Sequence, residues 1–103
     1  MLHSFELKKR IAPESFVGAR FAALGLRDEL EALLARYDEI VIDFSGVEAT
    51  QSFLDEFIGV LVLENGSAIL RRLRFRGCSA NMKALLNFVV SDRAHQHSAH
   101  RPQ

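Results

Sequence analysis

The chain has little of what most chemical sites are built from. Its 103 residues include one cysteine, Cys78, and no tryptophan. A single cysteine excludes an internal disulfide and fits a reducing compartment. Six glycines stand singly, so no glycine-rich loop is available to cradle a phosphate. Outside the C-terminal stretch the sole histidine is His3, which leaves Cys78 without a base or a relay partner. Neither an enzyme nor a cofactor is therefore expected. The longest apolar run, Phe57 to Leu63, contains Gly59 and stops at Glu64. It falls far short of the ~20 residues that cross a bilayer. Lys8, Lys9 and Arg10 break up the first stretch, which lacks the pattern of a signal peptide. A cytoplasmic protein with no membrane contact is the expectation.

What is present describes an ordinary globular protein, with 49% hydrophobic and 25% charged residues. The length suits one domain, expected over residues 1–93, with a disordered histidine-containing tail over 94–103. The net charge of zero hides a split. Residues 1–67 carry six Lys/Arg against twelve Asp/Glu, and residues 68–103 carry seven against one. Acidic helices packed beside a basic strand would neutralise this asymmetry. A nucleic-acid module working through the arginine-rich strand 71–76 is the alternative, although no aromatic residue except Phe75 accompanies the arginines.

Periodicity gives an α/β domain of order β-α-β-α-β-α, with a mainly parallel or mixed sheet covered by helices. Phe5 to Ile11 reads as a short edge strand, and a helix follows from about Phe16 to Tyr37. The buried stripe of that helix is Leu26, Leu30, Leu33, Leu34 and Tyr37, and Gly18 and Gly25 weaken its first half. Glu39 to Phe44 is the clearest strand, with consecutive Ile40, Val41 and Ile42 suited to a central position. Ser45 to Gln51 connects it to a second helix from Phe53 to about Glu64, which Asn65-Gly66 ends. Leu73 to Arg76 alternates as the next strand, with Arg72, Arg74 and Arg76 on one basic face. A third helix runs from about Asn81 to Ser91, with Met82, Leu85, Leu86 and Val89 facing inward. Residues from Arg93 onward are polar and aperiodic, so disorder is expected there. His95, His97 and His100 in that tail lack a carboxylate or cysteine to complete a metal site.

The segment from Val41 to Phe57 carries the most specific signal. Ser52 suits a helix N-cap, Asp55 three residues later makes a capping-box variant, and Asp55 with Glu56 suits the helix dipole. Gly59 lies in mid-helix on a face with Val62 and Leu63. Glycine there costs ~1 kcal/mol relative to alanine, which makes sense where another backbone comes close. That backbone belongs either to a partner or to a neighbouring helix of the same domain.

Ile42-Asp43-Phe44-Ser45-Gly46-Val47, followed by Gln51-Ser52-Phe53-Leu54-Asp55-Glu56, resembles the STAS-like domain family of unknown function. The resemblance covers roughly Gly18 to Arg93, and its wider relatives are the STAS domains of anti-sigma factor antagonists and sulphate transporters. It implies a regulatory domain that docks a partner protein, first among them a histidine-kinase-type ATPase. The implied surface is Glu48, Thr50, Gln51, Ser52, Asp55 and Glu56, extended by the Gly59, Val62 and Leu63 face. In anti-sigma factor antagonists a serine here is phosphorylated, which releases the partner. By position that serine falls on or beside Phe53, and Ser52 and then Thr50 are the nearest hydroxyls. A third possibility is a self-associating homodimer through an exposed helix face or edge strand.

Overall fold

The computed structural model of the chain describes residues 2–10, 16–17 and 20–99. Strand β1 (Leu2–Glu6) runs into a single 3-10 turn, Leu7–Lys9. A two-residue strand β2 (Phe16–Val17) precedes helix α1 (Arg20–Leu34). The central strand β3 (Glu39–Asp43) leads through β4 (Glu48–Ala49) to a composite helix. Its parts are α2 (Gln51–Leu54), a π-helical segment (Asp55–Gly59) and α3 (Val60–Asn65). After a 3-10 stretch, Ser67–Arg72, come β5 (Leu73–Arg76) and the long helix α4 (Ala80–Ala99).

The main sheet has three strands in the order β1-β3-β5, all parallel, and β2 pairs in parallel with β4. The α/β class and the parallel sheet agree with the sequence pattern. β3 is central, as its three consecutive β-branched residues require: Ile40 and Ile42 are fully buried and Val41 is 9% exposed. One face of the sheet carries Phe5, Ile40, Ile42 and Leu73 into the core cluster. There the Phe5 ring lies 5.9 Å from that of Phe57 in the π-helical segment. The other face carries Ser4, Glu39, Asp43, Arg74 and Arg76. On it Arg74 pairs with Glu39 at 2.9 Å and Arg76 with Asp43 at 3.1 Å.

Four sequence expectations need correction. The first strand occupies Leu2–Glu6 rather than starting at Phe5, because Leu7 is buried from within a 3-10 turn; Ile11 lies outside the described residues. The first helix ends at Leu34, short of Tyr37, and Phe16–Val17 are strand. Arg72 does not share a strand face with Arg74 and Arg76. It sits in the preceding turn and donates to the carbonyls of Leu34, Tyr37 and Asp38, at and just past the C-terminus of α1. The last helix continues to Ala99 instead of ending at Ser91. Its final turns are held by tertiary contacts that periodicity does not reveal. Arg93 pairs with Asp55, and His97 Nδ1 lies 2.7 Å from the Leu63 carbonyl. Residues 100–103, with His100, lie outside the described residues. No helix among the described residues is long and apolar enough to cross a membrane.

Candidate docking surface

Asp43 closes the central strand and organises the loop beyond it. Its Oδ1 accepts the Ser45 backbone N–H at 2.9 Å, and its Oδ2 accepts from Arg76. The Ser45 hydroxyl first, then the Ser45 N–H and Arg76, hold its carboxyl below the usual carboxylate range. Gly46 turns the chain at φ +73°, where a side chain would be strained and would meet Lys8. The turn closes with Val47 N–H donating to the Phe44 carbonyl at 2.9 Å.

Gly77, also at positive φ, lets the β5–α4 turn approach from the other side. A Cβ there would run into Ser45 and would lie 2.9 Å from Asp43 Oδ1.

From this turn the chain alternates. Val47 and Ala49 are buried, and Glu48 between them is exposed. The Ala49 N–H points into the core and meets Met82 Sδ at 3.3 Å. Thr50 then caps the helix, its hydroxyl accepting the Phe53 N–H at 3.1 Å. The cap is therefore Thr50, not Ser52. Gln51 and Ser52 stand exposed in the first turn, and Phe53 behind them is completely buried.

The acidic pair that follows is turned inward. Asp55 receives two hydrogen bonds from the Arg93 guanidinium, at 2.6 and 2.5 Å. The Asp55 carboxylate in turn pushes the Arg93 pKa further up. Glu56 accepts from Arg27 of α1 at 2.6 Å, and the same nitrogen of Arg27 reaches the Glu56 carbonyl at 2.9 Å. Asp55 thus ties the helix to α4 rather than completing a capping box, and the two carboxylates clamp the π-helical segment between α1 and α4. Arg27 and Arg93 are distant in sequence, so spacing alone offered no sign of them.

Gly59 and Val62 are not on an open face. Gly59 is buried, and a Cβ there would lie 2.7 Å from Asp55 Oδ1, 3.0 Å from Val89 Cγ1 and 3.2 Å from Arg93 Cγ. Val62 is fully buried and Leu63 half-buried. The groups that need the glycine are side chains, Val89 and Arg93 of α4 and Asp55 folded over it, rather than another backbone. What remains exposed together is the rim from Ser45 to Ser52, with Glu48, Gln51 and Ser52 outermost.

A family model described as a STAS-like domain of unknown function matches residues 23–83, more than half of the chain. The chain belongs to this family. The match runs from α1 into the first turn of α4, so it contains the whole rim of the STAS-like domain and both partners of the Arg27–Glu56 pair. Arg93, which holds Asp55, lies beyond it. No curated protein and no solved structure matches the chain significantly.

Proposed function

We propose that this STAS-like domain is a non-catalytic regulatory module that docks a partner protein through the rim from Ser45 to Ser52. The observation that carries the reading is the contrast within a few residues. Glu48, Gln51 and Ser52 are exposed, while the backbone beneath them is fixed by the Thr50 cap and the Ala49–Met82 contact. A rim of polar side chains on a rigid support loses little conformational freedom when it binds. Asp55 and Glu56 serve the same surface indirectly, by anchoring the helix that presents it.

The partner class is a histidine-kinase-type ATPase, in keeping with the likeness to anti-sigma factor antagonists. Ser52 is the hydroxyl suited to a switch, since it is exposed and caps nothing. A phosphate on it adds about −1.5 to −2 charges. The helix N-terminus tolerates that charge, and a partner seated over the rim does not. Thr50 is the poorer acceptor, because modifying it would cost the helix its cap. The test is capture of partners with and without Mg-ATP, followed by phosphopeptide mass spectrometry. ATP-dependent phosphate on Ser52, with loss of the ATPase from the bait, is expected. An ATPase that binds Ser52→Asp as well as the unmodified domain overturns the switch.

A further inference from the structure

Strand β5 forms an edge of the main sheet. The Phe44 N–H donates to the Arg76 carbonyl at 2.7 Å, so Arg76 and, by the parallel alternation, Arg74 direct their backbone groups inward to β3. Phe75 must then direct its N–H and C=O outward, where no strand follows among the described residues. Leu73 also faces outward, and its N–H is used by the turn before it, donating to the Leu70 carbonyl.

Beside this edge lies a groove of about 490 Å³. One wall is the strand and its exit turn, from Phe75 to Cys78. The other is the Lys83, Leu86 and Asn87 stripe of α4. An open strand edge facing a helix across a groove is the geometry by which an extended peptide adds to a sheet.

We infer that the β5 edge takes up an extended protein segment of alternating apolar and acidic residues as a further strand. The alternation follows from the two faces of β5. On the core face the incoming side chains meet Phe75, Cys78 and Leu86, an apolar lining in which burial raises the Cys78 thiol pKa. On the other face they meet Arg74 and Arg76, which already pair with Glu39 and Asp43 on their inner side. Both arginines remain exposed, at 67% and 61% of their side chains, so an acidic row outside them extends an existing ladder of opposite charges. Lys83 and Asn87 at the groove wall offer donors to the same segment. A second copy of this chain fits worse. Edge-to-edge pairing of β5 with itself places arginines against arginines, which is destabilising across adjacent strands.

The occupant inferred here is independent of the partner at the 45–52 rim. The test uses the whole chain and a fluorescein-labelled hexapeptide of alternating glutamate and valine, titrated by fluorescence anisotropy. Saturable binding is expected, with the lysine–valine peptide weaker by about tenfold or more. Methylating the peptide nitrogens on one edge should abolish binding, because strand addition uses main-chain donors. The exposed change Lys83→Glu should weaken binding without altering the circular dichroism. The Phe75 amide should become protected from hydrogen exchange when the peptide is bound. Absence of saturable binding overturns the inference. So does equal affinity for the acidic and basic peptides, insensitivity to N-methylation, or light scattering that shows the free chain already dimerised through β5.

Discussion

The start and the middle of one helix, 51–65, had the same standing in the sequence and have opposite fates in the fold. The start, with Gln51 and Ser52, is exposed, and the middle, with Gly59 and Val62, is sealed beneath α4. Local preference accounted for the residues at the start and left Gly59 in the middle unexplained. A glycine in mid-helix reports that something approaches closely, but not whether the approaching group belongs to another molecule. Here it is Val89 and Arg93 of the same chain, together with Asp55 of the same helix. The π-helical segment belongs to the sealed region, where its two carboxylates are taken up by arginines from two neighbouring helices.

The sharpest way to break the comparison is to fill the sealed region. Gly59→Leu should cost about 3 kcal/mol of stability, since an added side chain overlaps three packed groups. Urea denaturation would show it, and a fully stable variant would mean that α4 lifts away freely. Next in size is Arg93→Ala, which leaves the Asp55 carboxylate half-buried without its guanidinium. A loss of about 2 kcal/mol is expected. Adding Asp55→Asn should recover part of it, which a double-mutant cycle would measure.

At the open end the effects shrink and separate by residue. Thr50→Ala should cost about 1 kcal/mol, as the loss of an N-cap does. Ser52→Ala should stay within about 0.5 kcal/mol of the parent. The reverse order in thermal melts would return the cap to Ser52.

The smallest effect is the pH dependence of Asp43. Its pKa is lower in the folded chain than in the unfolded chain, so the native state holds its proton less tightly. The stability it contributes is complete above the unfolded value of ~3.9. It is lost as pH falls through the depressed folded value. Asp43→Asn should flatten the acid limb of the stability profile there and leave the neutral region level.

Much of the architecture was legible because it rests on short-range pattern. The β-branched run Ile40 to Ile42 could only be central, Leu73 to Arg76 alternated cleanly, and Asn65-Gly66 marked a helix end that the fold places at Gly66, φ +77°. The last turns of α4 were not legible, because Arg93 and His97 are ordered by Asp55 and Leu63 from far away in sequence. The cap was misplaced for a local reason. Ser52 with Asp55 satisfied the spacing of a capping box, while Asp55 was committed to α4. The segment singled out by its motif is exposed at Glu48, Gln51 and Ser52, and its expected extension to Val62 failed because helix periodicity defines a face without saying what covers it.

The most direct test of the account compares the same two regions in the bound state. Hydrogen–deuterium exchange would be followed peptide by peptide, with and without the proposed ATPase partner. Added protection over residues 45–52 is predicted, with no change over 59–62, which are already packed beneath α4. Protection confined to α4 or to the outer face of the sheet, with the rim unchanged, would contradict the claim that the chain docks through the start of this helix.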